Sequence, residues 1–305
     1  MSDLLAIGEA LVELNQAEDG APFLLGFGGD TSNAMIAAAR LGADAAYFTA
    51  VGADRFGQAL TELWMREGVD ASRIVVSGGA HTGLYFVTHG PDGHVFSYLR
   101  AGSAASRIGE SDLPVDRVRE TKILHLSGIS QAISSSGADA AFAAIDIAHD
   151  AKRLVSYDPN LRLKLWPLRR ARAIIHEAMR YSDIALPGLD DALALTGLSD
   201  PDAIVDFYLR LGASVVVLKL GKAGALAATP KARERIAPRL VKAIDATGAG
   251  DCFDGAFLAE FVRSADPFAA AHFANAAAAL STLGYGAVAP LPRRADVEAA
   301  LAKAR

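Results

Sequence analysis

Short, nearly unbroken apolar runs alternate with amphipathic stretches along most of this chain, and that rhythm restricts its fold more than any other feature. The runs are "LLAIG", "AAYFTAVG", "KILHLSGI", "RLVSYDP", "DIALPG" and "SVVVLKLG". A strand with one wet face alternates apolar and polar residues. A strand that is apolar on both parities needs cover on both faces, which points to a parallel sheet between two helix layers. The stretches "DTSNAMIAAARLG", "RFGQALTELWMREG", "GADAAFAAIDIAHDAK" and "PDAIVDFYLRLG" supply the helices. Beyond residue 250 the pattern is almost wholly helical, with an alanine-rich stretch at 269–280. The expected fold class is α/β, a three-layer α/β/α unit with a central, mostly parallel sheet. With no repeat, low-complexity tract or long linker, residues 1–305 read as one such unit.

Two segments break the rhythm. Residues 10–28 ("ALVELNQAEDGAPFLLGFG") and 82–100 ("TGLYFVTHGPDGHVFSYLR") alternate in strand fashion, and "GPDG" at 90–93 is a hairpin turn. Antiparallel strands inserted beside a parallel sheet predict a small β-sheet lid over one edge of the main body. A lid serves an enzyme whose bound substrate must be kept from water.

Charge and composition exclude several function classes. A formal net charge of −5 leaves no basic field for nucleic acid. No 18-residue apolar run free of charge is present, and the acid-bearing start "MSDLLAIGEALVEL" does not fit a secretion signal. A soluble cytoplasmic protein is expected, without membrane or nucleic-acid partners. The single cysteine, Cys252, rules out an internal disulfide framework and a cysteine-based zinc site. Its place on the apolar side of a helix reads as a core thiol.

Chemistry concentrates at "DATGAGD", residues 245–251, where a tight glycine turn breaks into an amphipathic helix. A helix N-terminus presents free N–H groups and about half a positive charge, which suits a phosphate or a developing oxyanion. Gly248 and Gly250 allow the backbone to approach such oxygens closely. Asp251 would repel the anion unless it were needed for proton transfer, so it reads as a general base toward an attacking hydroxyl. On local spacing alone, a plain aspartate-capped helix stays open. No G-x-x-x-x-G-K-[ST] loop occurs. Instead "GKAGAL" at 221–226 forms a glycine turn at the end of an apolar strand, where open α/β sheets bind nucleotides.

Five motifs then fall in one order: "GFGGDTSNAMIAAARLG" (26–42), "VGADRFGQAL" (51–60), "DPNLR" (158–162), "KLGKAGAL" (219–226) and "DATGAGDCFDGAF" (245–257). In this order they resemble the ribokinase-like (PfkB) carbohydrate kinases, over essentially the whole chain from "AIGEALVEL" to "GYGAVAPLP". Within that family, "GGDTSN" (28–33), "YLRAGSAAS" (98–106) and "DPNLRLKLW" (158–166) are most similar to the 2-keto-3-deoxygluconate kinases. The resemblance implies ATP as phosphoryl donor and Mg2+, with a monovalent cation as a further candidate. It makes Asp251 the base and the N–H groups of Gly248, Ala249 and Gly250 an anion hole. Gly28, Gly29, Asp30 and Asn33 would line the sugar site, with Tyr85, Tyr98 and Arg100 reaching in from the lid and Arg162 from the "DPNLR" strand end. Asn160, Lys219, Gly221, Lys222 and Gly224 would border the nucleotide, with Asn275 near its base or ribose. The implied partners are a small sugar acid, ATP and a second copy of the chain, met through the lid.

The expected reaction is ATP-dependent phosphorylation of the terminal hydroxyl of 2-keto-3-deoxygluconate, giving the 6-phospho acid. Two arginines aimed at one small site suit the carboxylate of such a substrate, because guanidinium binds it in a bidentate fork. A solvated charge for Arg100, an ion pair for Arg162, and lid packing or a dimer contact for Tyr85 and Tyr98 stay open. So do two other functions. One is a fructokinase or other neutral-sugar kinase; the second is a catalytically silent sugar-binding regulator, against which the intact "GAGD" argues. Magnesium brings one departure: where many relatives carry N-x-x-E, this chain has "PGLD" at 187–190. Asp190 or Asp191 is expected either to orient metal-bound water or to cap a helix. His125, Trp166 and the lid-flanking His81, His89 and His94 read as structural or solvated residues, and Glu13 as a sugar contact or a lid-edge charge.

Overall fold

The computed structural model describes residues 2–16, 20–90 and 93–303. Across its main sheet lie β14 (Arg233–Ile236), β13 (Ala225–Ala228), β12 (Val215–Lys219), β11 (Ile184–Ala185), β10 (Leu154–Asp158), β9 (Ile123–Ser127), β1 (Leu4–Ile7) and β4 (Ala45–Phe48), in that spatial order. Neighbours from β12 to β4 are parallel, while β13 and β14 turn back antiparallel at one edge.

Alternate residues of each strand enter two separate cores. Leu4, Ala6, Tyr47, Ile123 and Val217 pack on one face, with α1 (Asp30–Arg40), α2 (Arg55–Glu67), α9 (Ala249–Ser264), α10 (Pro267–Ser281) and α11 (Arg294–Ala302). Leu5, Ile7, Phe48, Leu124 and Leu218 pack on the other. That face is covered by α3 (Val115–Glu120), the short α4 (Gly128–Ala132), α5 (Ser135–Asp150), α6 (Leu168–Arg180), α7 (Leu189–Thr196) and α8 (Pro201–Leu211). Both faces are dry, which is why the apolar runs show no polar parity. Cys252 and His125 are buried as core residues, His125 against the Ser156 hydroxyl.

A separate four-stranded sheet answers to the two segments that break the rhythm. It consists of β2 (Leu11–Asn15), β3 (Leu24–Gly28), β7 (Leu84–Gly90) and β8 (Gly93–Leu99), in the order β3-β2-β7-β8. The tip of the expected "GPDG" turn, residues 91–92, lies outside the described residues, as do the side chains of His89 and His94. Two departures are local. The run "AAYFTAVG" divides at Thr49 into β4 and β5 (Ala50–Gly52), and β5 pairs with β6 (Val75–Ser77) instead of the main sheet. Strand β14 was not expected, because its "RERI" has little apolar signal; Arg233 and Arg235 reach Asp202 on α8 instead of a core. Among the described residues no helix is long and apolar enough to cross a membrane.

Helix starts show where the fold leaves polar groups unmet. Asp54, Ser134, Asp200 and Asp266 accept the first N–H groups of α2, α5, α8 and α10. Three α-helices begin instead at a glycine with no side-chain cap: α1 at Gly29, α7 at Gly188 and α9 at Gly248. All three glycines line one cleft.

Candidate active site

The cleft has a volume of about 1310 Å³ and opens at the carboxyl ends of β10 and β12, under the small sheet. Asp251 lies in it, on the first turn of α9. Its Oδ2 accepts a hydrogen bond from Asn33 Nδ2 on α1 at 2.8 Å. The two helices meet so closely because residue 255 is glycine: a Cβ there would lie 2.1 Å from the Ala34 carbonyl oxygen. Burial, reinforced by the charge of Asp30, pushes the Asp251 carboxyl up to about 7. Such a group changes protonation state near neutral pH, where a general base works best.

The turn before it needs glycine. Gly248 has φ 74°, and a Cβ there would sit 2.9 Å from that of Ala287. At Gly250 a Cβ would meet only Lys219 Nζ, at 3.8 Å. The backbone N–H of Ala249 is spent on the Ala246 carbonyl at 3.2 Å, closing the turn. Those of Gly250 and Asp251 have no partner among the described residues. Of the three N–H groups expected to form an anion hole, that of Ala249 is thus occupied by the turn itself.

In the small sheet, Gly28 makes room for Tyr85, since a Cβ there would be 2.6 Å from the tyrosine oxygen. The Tyr85 hydroxyl donates to the buried carboxylate of Glu13, and its ring stacks on Tyr98 with centroids 5.7 Å apart. Gly29, Asp30 and Asn33 line the same cleft. The two arginines differ. Arg100 lies 5.4 Å from the centre of the Tyr98 ring and pairs with Glu9, a buried acid that the sequence reading missed. Burial pushes the Glu9 carboxyl up to about 7, against the pull of Arg100. Arg162 is exposed at the cleft wall, donates to its neighbour's carbonyl at 3.0 Å, and has no ion pair among the described residues. It is the unmatched one.

Several expected nucleotide contacts are placed differently. Asn160 lines the cleft, but its Nδ2 donates to Asp30 Oδ2 at 2.7 Å and its N–H to Asp158 Oδ1 at 3.1 Å, so it bridges α1 and β10. Gly221 and Lys222 line the cleft; Gly224 and Asn275 do not. Gly224 lets β13 and β14 close up, a Cβ there falling 2.0 Å from the Ile236 carbonyl oxygen, and Asn275 Nδ2 donates to the Ala237 carbonyl at 2.9 Å. Lys219 lines the cleft, yet its ammonium is bonded to Asp158 and Asp254.

Asp190 and Asp191 sit on the first turn of α7. Asp191 accepts the Leu161 N–H at 3.0 Å, and burial together with the charge of Asp158 pushes its carboxyl up to about 6. Asp190 is exposed in the cleft. No cluster of three or more His, Cys, Asp or Glu suited to a metal ion occurs among the described residues. This arrangement fits magnesium held by nucleotide phosphates and water, with one carboxylate beside it, and does not fit an all-protein cage.

Known proteins carry the same arrangement of sequence and fold. The profile of the pfkB family carbohydrate kinases matches residues 1–294. The chain is 35% identical over 308 residues to the 2-dehydro-3-deoxygluconokinase of Thermoproteus tenax, covering 97% of this chain and 94% of that one. It is 33% identical over 312 residues to fructokinase-1 of Oryza sativa subsp. japonica, covering 96% of each. The crystal structure of fructokinase from Vibrio cholerae O395, with fructose, ADP and calcium ion bound, superposes with a TM-score of 0.89 at 29% identity over 99% of both chains. With a profile match over nearly its full length and a cleft built from the motifs that carry it, the chain belongs to the pfkB family of carbohydrate kinases.

Proposed function

We propose that this carbohydrate kinase uses ATP to phosphorylate the terminal hydroxyl of 2-keto-3-deoxygluconate (2-dehydro-3-deoxygluconate). The acceptor hydroxyl oxygen forms a bond to the γ-phosphorus as the bond to ADP breaks, and Asp251 takes the hydroxyl proton. The carboxyl of Asp251 sits on the same helix turn as N–H groups without a backbone partner, which supports base and anion hole acting at one place. Gly250 and Asp251 N–H groups would hold the transferring oxygens, while Gly221 and Lys222 border the phosphates. Asp190 would hold a water of a nucleotide-bound magnesium, which supplies positive charge to the phosphates. The small sheet closes over the acceptor through Tyr85 and Tyr98.

The observation that carries the acid reading is Arg162, exposed in the cleft beside Asp191 but with no ion pair among the described residues. A sugar acid supplies the carboxylate for one. The pairing of Arg100 with Glu9 favours the second reading, a neutral-sugar kinase such as a fructokinase, because it removes one of the two charges from use. An ADP-release assay with keto-deoxy acids, fructose and ribose decides between them. Fastest turnover of the acid supports the proposal; preference for fructose overturns it, and no ADP release with any of the sugars would mark a silent regulator. Leu25, Val95 and Leu99 share the face of the small sheet opposite Tyr85 and Tyr98 and are exposed, and we place a second copy of the chain against them. Sedimentation of a monomer at micromolar concentration would contradict that pairing.

A further inference from the structure

Lys219 ends β12, and its side chain is only 13% exposed. An ammonium has three N–H donors. Three carboxylate oxygens surround this one: Asp254 Oδ1 at 2.8 Å, Asp254 Oδ2 at 3.0 Å and Asp158 Oδ2 at 3.0 Å. No donor remains for a phosphate. Both acids are buried, at 7% and 2% side-chain exposure; the Asp158 charge above all holds the ammonium protonated despite its burial, while burial pushes the Asp254 carboxyl up.

The contacts continue in both directions from the ammonium. Asp254 lies one turn along α9 from Asp251, so anchoring it fixes the rotation of that helix about its axis. Asp251 accepts from Asn33 on α1, and Asn33 lies one turn from Asp30. Asp30 accepts from Asn160, whose own N–H donates to Asp158, and Asp158 returns to Lys219. The loop closes. It ties α1, α9, β12 and the turn after β10 around one carboxyl. Asn160 has φ 32°, a conformation that side-chain-bearing residues hold only when their surroundings over-determine it.

We propose that Lys219 is a positioning residue for the reaction: its buried ammonium closes a ring of hydrogen bonds that fixes the direction of Asp251, and it does not bind the nucleotide. This rests on the reading of Asp251 as base. In Lys219→Met, kcat falls by roughly 10²-fold, the cost of misplacing a reacting group by about 1 Å. The affinity for Mg·ADP, measured by calorimetry, stays near that of the wild type. Lys219→Met also leaves two buried acids facing each other, so the double variant Lys219→Met/Asp254→Asn regains thermal stability while kcat stays low. Should Lys219→Met fail to fold, the double variant carries the same two measurements.

Loss of Mg·ADP affinity in step with kcat would make Lys219 a nucleotide ligand and overturn the proposal. Recovery of kcat together with melting temperature in the double variant would reduce Lys219 to a general structural role, and overturns it equally. Asp251→Asn, run alongside, separates the two layers. A slow Asp251→Asn beside a fast Lys219→Met removes only the ring. A fast Asp251→Asn removes the base reading itself.

Discussion

Replacing Arg162 with alanine tests the class of acceptor, because the two cleft arginines are in different states. Arg162 has no ion pair among the described residues, whereas Arg100 is matched by Glu9. A charge-assisted hydrogen bond contributes about 1.5–3 kcal/mol, or roughly 10–150-fold in kcat/KM. Arg162 is exposed, so the loss for a keto-deoxy acid falls toward the lower end of that range. Loss for a neutral sugar should be much smaller, since it offers no charge to pair. Arg162→Lys recovers little, because an ammonium lacks the planar fork. Arg100→Ala behaves differently. It leaves the carboxyl of Glu9, 1% exposed and already pushed up to about 7, without its partner, so that Glu9 takes up a proton at a cost to stability. Both substrates then suffer alike, and melting temperature falls with activity. The assay is coupled ADP release with acid and neutral sugar on each variant, with circular dichroism to confirm folding. Equal losses for acid and neutral sugar in Arg162→Ala would refute the argument and move the fructokinase reading ahead.

Asp251→Asn should fold and bind nucleotide but lose kcat by on the order of 10²–10⁴, the usual worth of a positioned proton acceptor, and near-normal turnover with rate-limiting chemistry would contradict it. With its carboxyl pushed up to about 7, wild-type kcat/KM should fall as pH drops below 7 and the base becomes protonated, a limb read from a pH–rate profile. Stability should move the other way. Asp251 and Glu9 bind protons more tightly folded than unfolded, so their cost is full above pH 7 and fades as pH falls toward the ordinary carboxylate range. Asp251→Asn should therefore raise the melting temperature at pH 8 and not at pH 4, and no gain at pH 8 would count against the raised carboxyl. Gly250→Val should keep the fold, since a Cβ there meets only Lys219 Nζ at 3.8 Å, yet cost roughly 10²–10³ in kcat by blocking the anion hole; unchanged kcat would place no phosphate on that turn. Gly248→Val is the wrong test, because φ 74° and the Ala287 side chain make it a folding defect first.

The layered fold was legible because strand burial and strand sequence are one signal. Leu4 and Leu5, or Val217 and Leu218, point to opposite cores, so both had to be apolar and the run shows no parity. The edge strand "RERI" escaped for the same reason in reverse. An edge strand need not be apolar, and its arginines are satisfied by surface acids. The split at Thr49 depends on which neighbour each half finds, a tertiary choice with no local mark.

For the site, backbone-driven features could be read and side-chain partners could not. Glycine starts leave N–H groups open, and glycine is visible in a sequence: Gly29, Gly188 and Gly248 mark three helix mouths on one cleft. Charge pairing is different, because a residue's type says what it can bind and not which partner reaches it first. Lys219 was expected to border the nucleotide, yet Asp158 and Asp254, 61 and 35 residues away in sequence, take its ammonium. Arg100 looked as available as Arg162 until Glu9 was found 91 residues before it in the chain. Glu9 and the pair Asp158 and Asp254 each hold a cation of the cleft, while Arg162, Lys164 and Lys222 line it with no ion pair among the described residues. Under the proposed reading, an acid acceptor would meet its charge at Arg162 and its reacting hydroxyl at Asp251.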